Sequence, residues 1–215
     1  MLAFHVVDAF TDTIFSGNPA AVIILDDALA LSDETMQLMA REFNLSETAF
    51  VVRPSITSSQ QRVYGLRWFT PENEVALCGH ATLASAHIMF QTLPLDSPEN
   101  VIRFQTRKSG ILRARRLVQH QGNVEIEIEL PAGAVTDLGV HGREMFGKVE
   151  CAVNAALGVT KNENGVVEYV GHVEGSSFEG YLLVELKATF DLEGCKVNTN
   201  AFVSCVIPYT NIISS

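Results

Sequence analysis

Arg67-Trp68-Phe69-Thr70-Pro71-Glu72-Asn73-Glu74-Val75-Ala76-Leu77-Cys78-Gly79-His80-Ala81-Thr82-Leu83-Ala84-Ser85-Ala86-His87-Ile88-Met89-Phe90 is the stretch on which the fold turns. Its pattern predicts a strand, a proline-containing turn and an unusually apolar helix, with Cys78, Gly79 and His80 where the helix begins. Between Val75 and Leu95 there is no Asp, Glu, Lys or Arg. Ala81, Leu83, Ala84, Ala86, Ile88, Met89 and Phe90 leave no broad polar face. A helix that is apolar nearly all round is buried all round. This one is expected to run through the middle of a β-rich layer, with its first turn opening inside the protein. Unpaired N–H groups and the positive dipole end would there suit an anion.

With 215 residues, 47% of them hydrophobic, the chain can bury a sizeable core as one large domain or two small ones. A net charge of −10 argues against nucleic acid or an anionic membrane as the main partner. The segment Arg103–Arg116 is a local exception, holding Arg103, Arg107, Lys108, Arg113, Arg115 and Arg116 without an acid. Arg113 and Arg115 share one face of a strand, which reads as a solvated sheet face before it reads as an anion patch. The charge-free window is long enough to raise a membrane span. Its Gly79, His80, Thr82, Ser85, His87, Gln91 and Pro94, and an expected helix of about 13 residues, argue against one. Cys78, Cys151, Cys195 and Cys205 show no metal-ligand or Cys-x-x-Cys spacing, so no metal is expected. Met1–Ala9 lacks a signal-peptide pattern, because Asp8 interrupts the apolar run. A cytoplasmic, reducing setting is the expectation.

Outward from the central stretch, Ala3–Ala9 and Ala20–Leu25 read as strands, with Gly17-Asn18-Pro19 as a turn between them. Ser32–Phe43 reads as a helix with Ser32 as N-cap, Asp33 and Glu34 in the first turn and Asn44 as the stop. Leu45–Val52 enters a strand with Glu47 at its mouth. Pro54–Gln61 is a Ser/Thr-rich loop. Val101–Thr106, Ile111–Leu117 and Val124–Leu130 follow as strands, the last alternating Val and Ile with Glu. Pro131–Gly142 is linker-like and ends the first half. Arg143–Leu157 can form a helix. Gly165–Glu174, Tyr181–Leu186 and Phe202–Pro208 are expected strands. Ala49-Phe50-Val51 and Ala201-Phe202-Val203 form a weak internal echo, each expected to lead into a strand. The fold class is α+β, with many antiparallel strands and a few helices.

Three motifs carry a resemblance. Gly17-Asn18-Pro19-Ala20-Ala21-Val22, Ser46-Glu47-Thr48-Ala49-Phe50-Val51, and Arg67–Pro71 running into Glu74–Ala84 agree in order and spacing with the phenazine-biosynthesis PhzF-like family. The match is strong over Ala3–Ile128 and looser through Val203. More distantly the chain resembles diaminopimelate epimerase. The resemblance implies a diaminopimelate epimerase-like fold of two pseudo-symmetric, barrel-like β halves, each around a central helix. Residues 1–131 would be the first half. Residues 132–215 would be a partial second half lacking its central helix.

The resemblance further implies an isomerase or epimerase without metal or organic cofactor, acting by acid/base proton transfer on a small carboxylate metabolite. Glu47 matches the family's general acid/base, and His80 matches a site histidine. Gly79, with the amides of Ala81 and Thr82 after it, would cradle a substrate carboxylate. Asn18 matches a loop that holds substrate. Moving a proton beside a carboxylate needs a base, an acid and fixed donors for the developing charge, which is why such residue types recur there. An apolar wall such as Phe50 or Trp68 would tune the carboxyl. Cys78 stands where the epimerase has a reactive cysteine. None of the other three cysteines has a matching helix-start context, so Cys78 reads as a passive thiol lining the substrate site.

The family's second half continues to a motif of the form Glu-Asp-Pro-x-Thr-Gly-Ser-Ala, carrying a catalytic Asp and a second anion-binding helix start. Nothing in this sequence matches it. The expectation is therefore a C-terminally truncated relative that is weak or inactive. The alternative is a non-catalytic homologue, or a shortened gene model, acting at most as a binding protein. Partner expectations are a small carboxylate substrate, no nucleic acid and no membrane. A homodimer stays open, since relatives are often dimers.

Overall fold

The computed structural model describes residues 2–13, 15–26, 31–54, 63–93, 100–118, 124–138, 142–159, 165–175, 177–178, 181–192, 194–204 and 211–214. The loop expected over 54–61 lies outside these residues apart from Pro54. The chain divides into two compact units, Met1–Pro131 and Ala132–Ser215.

The first unit holds β1 (Phe4–Ala9), β2 (Asn18–Asp26), α1 (Asp33–Phe43), β3 (Glu47–Arg53), β4 (Val63–Phe69), β5 (Glu74–Val75), α2 (Gly79–Gln91), β6 (Val101–Thr106), β7 (Ile111–Val118) and β8 (Val124–Glu129). These form one eight-stranded sheet in the order β1-β2-β3-β4-β6-β7-β8, with β5 paired to β4. The helix α2 touches β1, β2 and β3 at one end of that order and β7 and β8 at the other. A sheet whose two ends reach the same helix is curled around it. Ala81, Ala84, Ala86, Ile88, Met89 and Phe90 therefore bury themselves among Ala20, Val22, Ala49, Val51, Leu66, Trp68, Phe104 and Leu112. His87 and Gln91 are the exposed residues of α2.

Strand periodicity sorts the two faces. On β3, Ala49 and Val51 face α2, while Phe50 packs with Ile23, Leu25, Phe69 and the α1 residues Met36 and Ala40. Phe50 is thus on the opposite face from Glu47 and does not wall it, contrary to expectation. Trp68 is on the inner face. Ser32 caps α1 by accepting the Thr35 N–H at 3.1 Å, and Asn44 ends it in the left-handed region at φ 50°.

The Gly-Asn-Pro turn needs correction. Asn18 and Pro19 already belong to β2, paired with Ala9 and Asp8. Pro suits the first residues of a strand, where its missing N–H is least costly. Gly17 is required by proximity, since a Cβ there would sit 2.3 Å from the Ala9 carbonyl oxygen.

The basic segment is not one patch. Arg113 and Arg115 face Glu129 and Glu127 across the β7–β8 ladder, with ion pairs of 3.4 and 3.9 Å. Arg116 turns to the buried face, its guanidinium 5.3 Å from the Phe90 ring and 3.5 Å from the Leu93 carbonyl. A cation there suits the C-terminal end of the α2 dipole. Arg107 joins a four-residue clasp. Arg67 grips Glu74 with two bonds of 2.7 and 2.8 Å and Asp33 with one of 2.7 Å, and Arg107 reaches both acids at 2.9 Å. The clasp ties the start of α1 to β4, to β5 and to the turn that follows β6. Hydrogen bonds from Arg67, then from Arg107, draw the Asp33 carboxyl down to about 2.

The second unit holds β9 (Ala134–Asp137), α3 (Gly142–Leu157), β10 (Val167–Glu174), β11 (Tyr181–Leu186), α4 (Asn200–Ser204) and β12 (Asn211–Ser214). Its sheet runs β12-β11-β10-β9. Val149 and Val153 of α3 pack on Val167, Val170, Leu182 and Val184. Two expectations fail here. The linker over 131–142 contains β9, paired with β10. The strand expected over 202–208 begins inside α4, and 205–208 lie outside the described residues. The internal echo therefore joins a strand in one place to a helix in the other.

Candidate functional site

All the candidate residues lie in the first unit. Glu47 opens β3 on the face that looks at α2, because it shares parity with Ala49 and Val51. His80 stands in the first turn of α2. The two meet, with His80 Nε2 3.2 Å from Glu47 Oε2. Ser46, just before β3, adds a hub. Its hydroxyl lies 3.2 Å from His80 Nε2, 3.2 Å from the Pro19 carbonyl and 3.3 Å from Asn18 Oδ1. Asn18 is thereby joined to the cluster through Ser46. The sequence reading passed over Ser46 as a site residue. Its signal was a hydroxyl directly before the acid at a strand mouth.

On its other side the imidazole Nδ1 is 3.4 Å from Cys78 Sγ. A carboxylate only accepts, so the neutral ring carries its proton on Nε2 toward Glu47, and Nδ1 takes the thiol's proton as acceptor. Burial pushes His80 below its usual value; the Glu47 charge and the Pro19 carbonyl oppose this without overcoming it. Burial, then the Glu47 charge, pushes the Cys78 thiol up to about 12, against the His80 and Ala81 backbone N–H groups that favour a thiolate. Cys78 is a protonated thiol here, unlike the depressed cysteines that act as nucleophiles.

Cys78 is the N-cap of α2 and makes no side-chain cap bond, and the first turn holds no acid. That leaves the positive end of a buried helix beside the Glu47–His80 pair. Gly79 is half-buried at this start, and Ala81 is fully buried. Thr82 is fully buried too, its hydroxyl committed to the Cys78 carbonyl at 2.5 Å. Thr82 therefore shapes the helix start and presents no free hydroxyl proton. For a metal, Glu47, Cys78 and His80 each offer one donor atom, all within 4.8 Å of one another. Among the described residues, no helix is long and apolar enough to cross a membrane.

A curled sheet around an apolar helix, with an acid and an imidazole meeting at the helix start, defines an α+β protein of the epimerase-like class. The family model described as phenazine biosynthesis-like protein matches residues 7–206. The chain belongs to that family. Phenazine biosynthesis-like domain-containing protein 1 of Mus musculus is 39% identical over 205 residues, covering 92% of this chain and 62% of its own length. A Pseudomonas aeruginosa protein named as an uncharacterized isomerase is 54% identical over 115 residues, covering 54% of this chain and 40% of its own. The crystal structure of a PhzF-family phenazine biosynthesis protein from Enterococcus faecalis matches with a TM-score of 0.56 at 29% identity, covering 93% of this chain and 63% of that one. The chain thus spans less than two thirds of the length of these curated relatives, 62% of the first and 40% of the second.

Proposed function

We propose that the Glu47–His80 pair moves a proton on a small carboxylate metabolite, in an isomerisation or epimerisation that needs neither metal nor organic cofactor. The observation that carries this is the 3.2 Å contact between Glu47 and His80 at an uncapped, acid-free helix start. Glu47 takes a proton from the carbon beside the carboxylate or carbonyl. The electron pair left behind moves onto oxygen, where the N–H groups at Gly79 and after it hold the charge. Neutral His80 donates its Nε2 proton or relays one, and Asn18 and Ser46 orient the substrate and the ring. Returning the proton to the other face gives an epimer; returning it to another carbon shifts a double bond. The isomerase name of the Pseudomonas aeruginosa relative supports this class of reaction.

The test is solvent deuterium exchange into a panel of carboxylic acids. Glu47→Gln is expected to slow exchange by about 100- to 10,000-fold, the usual worth of a positioned acid/base group. Equal exchange in both proteins sinks the role of Glu47. If both bind a carboxylate and neither exchanges it, the chain is a binding protein.

A further inference from the structure

The polar groups at the start of α2 do not converge on one point. Glu47 meets His80 at Nε2 and Cys78 meets it at Nδ1, so they hold opposite edges of the ring and do not fit one cation. We propose that Cys78 is a positioning residue for His80: its thiol donates to Nδ1 while the ring is neutral and accepts from Nδ1–H once the ring is charged, so that Nε2–H faces Glu47 in both states. The two-way hydrogen bond stands on the geometry alone. Its part in proton transfer rests on the function proposed above.

The Nε2 edge is settled first. Glu47 Oε2 and Ser46 Oγ both lie 3.2 Å from Nε2. Ser46 has one hydroxyl proton, and the Pro19 carbonyl, which only accepts, lies 3.2 Å away on its other side. The hydroxyl therefore serves Pro19 and accepts from His80, as Glu47 does. Two acceptors keep the proton on Nε2 whether or not the ring is charged. A second proton has to land on Nδ1, which faces Cys78 Sγ at 3.4 Å. Sulfur is both a weak donor and a weak acceptor, and a turn about Cβ–Sγ exchanges the two without moving a heavy atom. With Cys78 and His80 only 8% and 9% exposed, a charged Nδ1–H left without that sulfur would be costly.

The surroundings leave this task to Cys78. Burial keeps the free ring neutral, against the Glu47 charge and the Pro19 carbonyl. Of the other strands packed on α2, β1 has Asp8 on the face of Phe4 and an exposed His5 opposite Val22. Arg116 of β7 lies at the far end of the helix, and β8 turns Glu125, Glu127 and Glu129 to the face of Arg113 and Arg115. The proton count closes within the cluster. Glu47 takes a proton from one carbon, the charged ring gives its Nε2 proton to carbon, and Nδ1–H stays on the sulfur. Nε2 is then free to take the proton that Glu47 holds.

The test is nitrogen-15 NMR of the full chain labelled at histidine, with His80→Gln assigning the His80 signals. The neutral ring should carry its proton on Nε2, and acidification should alter Nδ1. Cys78→Ala loses a charge-assisted bond and a neutral one; the first is about twice as strong, so the ring should hold its second proton about tenfold more weakly. Cys78→Ser keeps a donor and an acceptor and should stay within about threefold of the unmodified chain. Circular dichroism and the other histidines check the folds. A neutral ring protonated on Nδ1, a Cys78→Ala titration equal to that of the unmodified chain, or a Cys78→Ser titration that follows Cys78→Ala overturns the proposal. Acetate is the probe for the loaded site. Its binding heat in buffers of different ionisation enthalpy should show proton uptake in the unmodified chain and in Cys78→Ser, and less in Cys78→Ala. Uptake that Cys78→Ala leaves unchanged overturns the positioning role. Acetate that does not bind at all sinks the carboxylate reading, and the NMR titration still decides the part of Cys78.

Discussion

Gly79→Ala separates what the fold needs at the helix start from what the chemistry needs. Gly79 is the first residue of α2 and does not have positive φ. A Cβ built there meets only Leu130 Cδ1, at 3.4 Å, an ordinary van der Waals contact. Leu130 is 40% exposed and can give way. Nothing in the fold therefore demands glycine. Alanine should stabilise the chain by about 0.4–1 kcal/mol, mainly by restricting the unfolded state. For a chain of this length that is a melting-temperature rise of roughly 1–4 °C. The proposed carboxylate contact predicts the opposite for activity. A methyl group at the mouth of the first turn holds the ligand away from the backbone N–H groups. A charge-assisted hydrogen bond contributes about 1.5–3 kcal/mol, so exchange should fall by about 10- to 100-fold. Urea denaturation and deuterium exchange on the same preparation test both halves. Destabilisation beyond about 1 kcal/mol would refute the packing argument. A more stable protein with unchanged exchange would refute the idea that substrate approaches the backbone at Gly79.

Phe104, fully buried in the core that wraps α2, should cost about 3–5 kcal/mol when replaced by Ala, measured by urea denaturation. Burial holds folded His80 below its ordinary value, so the unfolded chain takes up that proton first. This contribution to stability should be constant above about pH 6.5, fall as pH drops below it, and be absent from His80→Gln; an unchanged slope in the variant contradicts the assignment. Carboxylate binding should be accompanied by proton uptake, seen as a dependence of binding heat on buffer ionisation enthalpy, and His80→Gln should reduce it. Binding heats that are independent of buffer would count against any coupling between the anion and the pair.

Much of the first unit was legible because its signals were long and redundant. The charge-free run after Glu74 announced a helix buried on every side, and the curled sheet supplies that environment. Ser32 and Asn44 marked the ends of α1 because capping chemistry is local. The misses came where local signals were short. Ala134–Asp137 is four residues between Pro131, Gly133 and the next helix, too brief for alternation to show. The apolar run at Phe202 fits either period, and the helix won. Phe50 was proposed as a wall for Glu47 although three positions along a strand reverse the face, a parity visible in the sequence. Ser46 was missed because its role needs Asn18 and Pro19 of β2 together with His80 of α2, and these lie far apart in the chain.

The anion preference of the α2 start is conditional, and Cys78 shows the condition. Its sulfur already sits where a substrate carboxylate would gain from the helix, with the His80 and Ala81 N–H groups favouring negative charge. Burial and the Glu47 charge outweigh them, and the thiol stays protonated up to about 12. The dipole end alone therefore does not hold a second anion beside Glu47. A carboxylate succeeds where the thiol fails only if it brings compensation. One source is stronger and more numerous hydrogen bonds, since a carboxylate has two oxygens and about four acceptor sites. The other is a proton on the pair. Burial keeps His80 neutral, and an incoming negative charge opposes that burial in the same sense as Glu47 does. Loading the site then primes it, because the proton drawn in with the substrate is the one an acid/base pair must hold before it can give one back.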